Sequence, residues 1–396
     1  MLEEIKAKVE AIKNDIIKLR REIHKNPELS GEEKKTSALV AGMLKDNSVK
    51  VLTGVGGYGV TGLLKGREEG ATIALRADMD ALPIQDKKGV EYSSTVPGVM
   101  HACGHDVHTA ILLGTAVTLV SLKGKLAGSV KFIFQPSEEK GTGGAKAMIK
   151  DGALENPKPS AIAALHSFPE YEAGRVGFKS GMMTASSDNF IITIKGKGGH
   201  AARPHQTIDS VLTASMVVNA MHHIVSRRID PTKNAVISIG MIRGGTAPNV
   251  IAESVEIQGT VRTLDQSLRE KMPQLIVETV KGITTAHGAG YDFNYEYGTP
   301  SVVNDGALVG FARECAVDVA GGNNVADIES PQMGAEDFSY FAEKVPGVLF
   351  RLGVGNKKKG ITSPLHSSTF DVDEDSIAVG VTLMSWIAAK YLESKK

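Results

Sequence analysis

One short run, HACGHDVH at residues 101–108, concentrates side chains that can bind a metal ion. It contains a thiol, a carboxylate and three of the chain's 11 histidines, and an apolar stretch follows it directly. Thiolate and imidazole ligands suit Zn²⁺ and its first-row neighbours. Gly104 would let the backbone turn so that Cys103 and His105 face one ion. The run therefore predicts a metal site, although a structural cysteine beside unrelated histidines would give the same pattern.

Two acidic motifs follow apolar runs that predict strands. Glu138 and Glu139 come directly after residues 130–134 in the run QPSEE, and Asp80 ends the run RADMD. Ligands of open α/β sheets bind outside the carboxyl ends of the strands. One glutamate could therefore ligate a metal, for which we choose Glu139, while Glu138 moves a proton from water to the leaving amine. Asp80 could orient a ligand histidine. A solvated acidic turn or a helix cap is the alternative reading at these places.

A scaffold of strands and helices must bring these motifs together. Residues 109–122 predict a buried helix between two strands, and a strand and an amphipathic helix return near the C-terminus. Residues 185–297 show the order β-α-β-β-α-β, which is typical of a split-βαβ sandwich. We therefore predict an α/β fold with a three-layer α/β/α domain, formed by residues 1–184 and 298–396, and an inserted α+β, ferredoxin-like lid domain.

The composition excludes several classes of protein. The 396-residue chain carries 45 basic and 45 acidic residues, so no net charge attracts nucleic acid or an anionic membrane. The longest apolar stretch, residues 110–122, is shorter than the roughly 20 residues that span a bilayer. Residues 1–21 show a charged helical pattern and not that of a signal peptide. Only two cysteines occur, Cys103 and Cys315, so a disulfide framework is not needed. We expect a cytoplasmic protein.

Seven ordered motifs resemble the amidohydrolase branch of the aminoacylase and carboxypeptidase metallopeptidase family. They run from REIHKNPEL at residues 21–29 through RADMDALP, HACGHD and PSEE to GGHAARPH, GAEDF and the terminal HSSTF, and so cover nearly the whole chain. That branch includes auxin-conjugate hydrolases, hippurate hydrolases, N-acetyl-diaminopimelate deacetylases and N-acyl-L-amino acid amidohydrolases.

The resemblance implies a two-ion metal site in each subunit. The implied ligands are Cys103, His105, Glu139, His166 and His366. Glu138 would act as general base and acid, and Asp80 would orient a ligand. The chain departs from the wider family at Asp78, where that family has a ligating histidine, and at Cys103, where it has a bridging aspartate. A cysteine ligand admits zinc, and the remaining set would also serve manganese, cobalt or nickel.

Three residues of the inserted domain complete the site that the resemblance implies. His200, in GGHAARPH, would stabilise the oxyanion, and in the family the matching histidine often comes from the partner subunit. Such a hydrogen bond is worth about 3 kcal/mol. Asn249 and Arg262 would contact the substrate, and an arginine fork suits an amino-acid carboxylate. His200 could instead cap its own turn, and Arg262 could be a surface residue.

We therefore expect a hydrolase that uses metal-activated water to cleave the amide bond of N-acyl amino acids, for example N-acetyl amino acids. A carboxypeptidase or dipeptidase acting on short peptides is the main alternative, and a non-catalytic binding protein of the same fold is a further one. We expect small-molecule substrates, no nucleic-acid or membrane partner, and a homodimer or homotetramer assembled through the lid domain.

Overall fold

The computed structural model describes residues 1–140 and 143–395, in which helices and strands alternate. The helices are α1 (Leu2–Lys25), α2 (Lys34–Asp46), α3 (His105–Ser121), α4 (Gly144–Lys150), α5 (Ser210–His223), α6 (Gln266–Ala286), α7 (Gly306–Ala320), α8 (Phe338–Ala342) and α9 (Asp375–Ser394).

The strands lie in two larger sheets and two short pairs. They are β1 (Lys50–Val55), β2 (Gly59–Lys65), β3 (Glu68–Asp78), β4 (Ala127–Gln135), β5 (Ala161–Glu172), β6 (Val176–Phe178), β7 (Gly181–Met182), β8 (Ser187–Lys195), β9 (Gly199–His200), β10 (Ala235–Gly244), β11 (Val250–Ile251), β12 (Ser254–Thr263), β13 (Gly290–Thr299), β14 (Val303–Asn304), β15 (Val325–Asp327) and β16 (Gly347–Gly355).

The first compact unit comprises Met1–Met183, Val302–Pro331 and Asp337–Lys396. Its sheet has the strand order β1-β2-β4-β3-β5-β16-β6-β15, and β4, β3, β5 and β16 run parallel at its centre. Strands covered on both faces are apolar on both faces. Ile73 and Leu75 accordingly pack with α1, α3 and α9, while Ala74 packs on the other side with α4 and α8. This arrangement confirms the predicted three-layer α/β/α fold.

Helix α3 is apolar on all sides because it is enclosed on all sides. It packs against α1, α9 and β3, so it lacks the polar stripe of a surface helix. Its first residue is His105, four residues before the predicted start at residue 109. The polar side chains of this first turn are buried, and they hide the beginning of the helix in the sequence pattern.

The second compact unit comprises Thr184–Ser301 and Gln332–Glu336. Its elements follow the order β8-α5-β10-β12-α6-β13, which is the split-βαβ order expected from the sequence, and its sheet has the antiparallel order β10-β12-β8-β13. Side chains of Asp209 and Asp265 cap the N-termini of α5 and α6. The core between helices and sheet holds Ile192, Val217 and Ile276, which are fully buried.

One segment departs from the expected division of the chain. Residues 332–336 lie in the second unit, although the sequence pattern grouped them with residues 298–396. The Ala185 backbone N–H donates to the carbonyls of Gln332 and Gly334 at 2.9 and 3.0 Å, so long-range hydrogen bonds fix this segment.

In the part of the chain that the structure describes, no helix has both the length and the hydropathy to cross a membrane.

Candidate metal centre

The two acidic motifs meet at one edge of the large sheet. β3 and β4 run parallel, and Asp78 pairs with Gln135 at the last position of each strand. The two loops that follow are joined by a hydrogen bond, because the Glu139 backbone N–H donates to Asp80 Oδ2 at 2.9 Å. Ser30 Oγ donates to the same oxygen at 2.6 Å. Asp80 is thus held in place as an acceptor beside the Glu138-Glu139 pair.

Gly104 determines how the cysteine and histidine beside it are presented. Its φ is +87°, a left-handed conformation that favours glycine. A Cβ at this position would lie 2.6 Å from Ser167 Oγ and 2.9 Å from Ser167 Cβ. Glycine is therefore required both by the backbone and by the close approach of β5. The turn brings ligand atoms of Cys103, His105 and His166 within 4.8 Å of one another.

His166 faces the thiol of Cys103 with an unprotonated nitrogen. Its Nδ1 donates to the Ser167 carbonyl at 2.9 Å, and its Nε2 lies 3.5 Å from Cys103 Sγ. Burial, followed by the Arg351 guanidinium, holds the pKa of His166 well below its usual range, so the ring is neutral as a metal ligand must be. Burial, reinforced by Glu139, raises the pKa of Cys103 to about 12. A thiolate here therefore needs a neighbouring cation.

The Nε2 nitrogen of His105 faces carboxylates. Nδ1 donates to the Asp80 carbonyl at 2.9 Å, and Nε2 lies 3.9 Å from Glu139 Oε1 and 4.0 Å from Glu138 Oε2. Neither His105 Nε2 nor Glu139 Oε1 has a hydrogen-bond partner among the described residues, although both atoms are buried. Burial alone would lower the pKa of His105, but the Asp78 carboxylate and other neighbours raise it well above its usual value. Surroundings that stabilise a proton on this ring also stabilise a metal cation beside it.

His366 comes from the segment between β16 and α9. Its φ is +61°, which is uncommon for a residue with a side chain and is found preferentially at functional sites. Its backbone N–H donates to the Ala102 carbonyl at 2.8 Å, and its Nε2 lies 3.4 Å from Glu139 Oε1. Ligand atoms of Cys103, Glu139 and His366 form a second group within 4.8 Å.

The five ligands implied by the sequence thus form two groups of three that share Cys103. Thiolate, imidazole and carboxylate are together the donor set of zinc and its first-row neighbours. His105 Nε2 and Glu139 Oε1, which are buried and have no hydrogen-bond partner among the described residues, are atoms that a divalent cation would satisfy. The residues therefore fit a metal centre of two ions.

The other three residues implied by the resemblance lie in the second unit. β9 pairs with β11, so that His200 lies opposite Val250 and near Asn249. His200 and Asn249 are both exposed. β9 follows β8 and β11 precedes β12, so this separate pair lies beyond Ser254, the first residue of β12. Arg262 is near the opposite end of β12, roughly 25 Å along the strand. The structure thus brings His200 and Asn249 together and separates them from the half-buried Arg262.

Known proteins resemble the chain over most of its length. The family described as Peptidase family M20/M25/M40 matches residues 74–390. The chain belongs to this family. The matched residues include every site residue that the motifs implied, and the resemblance to the metallopeptidase family is confirmed, as is the prediction of a hydrolase.

Individual relatives are similar to the chain over three quarters of its length or more. An N-acyl-L-amino acid amidohydrolase of Geobacillus stearothermophilus is 45% identical over 302 residues, which are 76% of this chain and 81% of the relative. Thermostable carboxypeptidase 2 of Saccharolobus solfataricus is 41% identical over 394 residues, 99% of each chain. The crystal structure of a Bacillus subtilis protein, described as a dinuclear metal binding peptidase from the M20 family, has a TM-score of 0.85 and 35% identity, and the match covers 97% of this chain and 99% of that one.

Proposed function

We propose that the protein is a dinuclear metal-dependent amidohydrolase that cleaves the amide bond of N-acyl amino acids. The observation that carries the proposal is the pair of donor groups that share Cys103, beside a second carboxylate, Glu138. The ligands would be Cys103, His105, Glu139, His166 and His366, and the metal would be zinc, manganese, cobalt or nickel. Bound divalent ions supply Lewis-acid polarisation of the carbonyl and lower the pKa of water.

Glu138 is the residue that we assign to proton transfer. Its side chain is 9% exposed and lies next to Glu139, with Oε2 4.0 Å from His105 Nε2, so it borders the ligands without being enclosed by them. Its carboxylate would take a proton from the attacking water and deliver it to the leaving nitrogen. General acid and base catalysis of this kind contributes about 10²–10⁴-fold. Asp80 holds His105 through Nδ1 and acts as a positioning carboxylate.

We propose that residues 185–297 act as a substrate lid, with His200 stabilising the oxyanion and Asn249 and Arg262 contacting the substrate. An amino-acid derivative is far shorter than the roughly 25 Å that separates Arg262 from the other two residues along β12. One substrate therefore cannot contact both sets from a single subunit. This supports a homodimer or homotetramer in which at least one set serves the active site of a partner subunit.

A cavity beside Glu139 supports a substrate with an apolar acyl group. Its volume is about 250 Å³, and its walls are mainly apolar, with Leu29, Ser30, Glu32, Ala81, Leu82, Pro83, Glu139 and Lys140 as lining residues. An apolar cavity of about 150 Å³ holds a benzene ring in an engineered protein. We therefore place the acyl group in this cavity and expect it to accept a group of benzoyl size.

A carboxypeptidase acting on short peptides is the second candidate, because thermostable carboxypeptidase 2 is 41% identical over 99% of each chain. Both reactions would use the same ligands and Glu138, and they differ in what lies on the acyl side of the scissile bond. A non-catalytic binding protein would have no use for a proton-transfer carboxylate beside the ligands.

Both cysteines of the protein are free and buried, which suits the reducing cytoplasm that we propose as its location.

The test combines metal analysis with product release. Wild-type protein, Glu138→Gln and Glu139→Gln are assayed for bound metal and for amino acid released from N-acetyl-methionine, N-benzoyl-methionine and alanyl-methionine. We expect two ions in the wild type, an unchanged metal content but at least about 10²-fold lower activity for Glu138→Gln, and a lost ion for Glu139→Gln. Cleavage of the dipeptide alone would favour the carboxypeptidase. Full activity of Glu138→Gln, or a wild type that binds no metal, would contradict the proposal.

A further inference from the structure

His108 is a buried histidine of the HACGHDVH run to which the proposed reaction assigns no role. It lies on α3, and both of its ring nitrogens are engaged. Nε2 accepts the Ser167 backbone N–H at 2.8 Å, so this nitrogen carries no proton. Nδ1 therefore bears the proton and donates it to Asp78 Oδ1 at 2.6 Å. The two contacts fix a single tautomer and a single orientation of the ring.

Ser167 connects this imidazole with a proposed metal ligand. Its backbone N–H binds His108, and its carbonyl accepts the Nδ1 proton of His166 at 2.9 Å. Its Oγ lies 2.9 Å from His108 Nε2 and is also the atom nearest to a Cβ built on Gly104. Ser167 is fully buried. The peptide groups that orient His166 are therefore held from the side of α3.

Asp78 anchors the other end of this series of contacts. It is the last residue of β3 and fully buried, and while Oδ1 accepts the His108 proton, Oδ2 accepts a proton from Arg76 Nη1 at 2.6 Å. The Thr109 hydroxyl donates to the Asp78 carbonyl at 2.7 Å, which ties the same strand end to α3 without involving the imidazole. A carboxylate held from two sides gives the His108 ring a rigid support.

We propose that Asp78, His108 and Ser167 form a clamp that positions His166 toward Cys103. These are positioning residues for the donor group of Cys103, His105 and His166, because Ser167 binds His166 directly and His108 binds Ser167. Among the described residues, no side-chain hydrogen bond joins the clamp to Glu139 or His366. The inference rests on the proposed function, in which His166 is a ligand. Loss of a hydrogen-bonding partner behind a ligand usually costs about 10–100-fold in metal affinity. The clamp therefore predicts a loss of this size for one ion and a smaller loss for the other.

The experiment compares three variants of the full chain. His108→Asn can still donate to Asp78 but is too short to accept the Ser167 N–H, whereas His108→Gln has a carbonyl oxygen as far from Cβ as Nε2. Thr109→Val is the matched control, because it removes a buried hydrogen bond to the same strand end. Metal-free proteins are titrated with Co²⁺, which reports binding at Cys103 through thiolate-to-cobalt absorption, and with Zn²⁺ by calorimetry. Urea unfolding of the metal-free proteins measures structural damage separately.

We expect His108→Asn to bind one ion about 10–100-fold more weakly, His108→Gln to recover most of that affinity, and Thr109→Val to lose stability but not metal affinity. Wild-type affinity of His108→Asn for both ions, an equal loss for both ions, or an equal effect of Thr109→Val would overturn the clamp while leaving the proposed function intact. A wild type that binds no metal would overturn both.

A measurement on the wild type needs no variant to fold. Nitrogen-15 NMR of the imidazoles should show His108 neutral with its proton on Nδ1. A proton on Nε2 is incompatible with the bond from the Ser167 N–H and would refute the clamp by itself.

Discussion

Replacing Gly104 by alanine tests the geometry of the centre directly. At φ +87° a residue with a Cβ raises the free energy of the folded state by about 1–2 kcal/mol relative to glycine. The new methyl group would also lie 2.6 Å from Ser167 Oγ and 2.9 Å from Ser167 Cβ, and overpacking of a buried site costs about 1–3 kcal/mol. We therefore expect Gly104→Ala to lower the free energy of unfolding by about 2–5 kcal/mol, as the sum of both effects.

Gly57 provides a matched control, because it separates the backbone effect from the contact. Its φ is +97°, and no described atom lies within 4 Å of a Cβ built on it. Gly57→Ala should therefore cost only the about 1–2 kcal/mol of the left-handed backbone. The difference between the two variants measures the contact with Ser167. A double variant, Gly104→Ala with Ser167→Gly, should recover part of that difference.

The assay is urea unfolding of the metal-free variants, followed by zinc titration. Gly104→Ala should also weaken metal binding, since any shift that relieves the contact moves Cys103 and His105 relative to His166, whereas Gly57→Ala should bind zinc like the wild type. Equal losses of stability for the two variants, together with unchanged zinc affinity of Gly104→Ala, would refute the argument that β5 approaches Gly104 too closely for a side chain.

Three further predictions concern the surroundings of the centre. Arg20→Leu leaves the buried Asp106 without the guanidinium 2.7 Å away and should cost about 3–5 kcal/mol near neutral pH. Burial alone would raise the pKa of Asp106, but Arg20 and His24 hold it well below its usual range. The ionised carboxylate therefore stabilises the folded protein above about pH 4, and this stabilisation is lost as the pH falls. Urea unfolding should show that the difference in stability between wild type and Arg20→Leu becomes smaller in acid. Removing the ions with a chelator should lower the free energy of unfolding by about 4 kcal/mol for each ion, relative to protein with free metal near 1,000 times Kd, which calorimetry can check. Leu82→Trp should fill the cavity beside Glu139 and lower kcat/KM for N-benzoyl-methionine at least about tenfold more than for N-acetyl-methionine, and equal effects would argue against that location of the acyl group.

Local patterns in the sequence predict the layered fold because alternation and apolar runs are imposed by the sheet and its covering helices. They miss the true start of α3, because the buried polar side chains of His105, Asp106 and His108 interrupt the apolar pattern. Residue type likewise indicates the donors, but not their grouping. The turn at Gly104 is expected from the glycine itself, but the left-handed backbone of His366, whose ring forms the second group with Cys103 and Glu139, is not indicated by spacing.

Contacts between distant segments were beyond the sequence for the same reason. His108 appears in the metal-binding run, yet its partners Asp78 and Ser167 lie on strands 30 and 59 residues away. The sequence likewise does not show that β12 separates Arg262 from His200 and Asn249, although the resemblance implied a role in substrate or oxyanion binding for all three. Such relations depend on the three-dimensional path of the chain, and only coordinates reveal them.

The two donor groups are distributed differently along the chain. Cys103, His105 and His166 all precede the second unit, whereas His366 follows it and is preceded by β16, the strand that pairs with the one carrying His166. A nascent chain therefore possesses every donor of the first group long before the second group can exist. A chain truncated after β16 would keep the three residues of the first donor group while lacking His366 of the second.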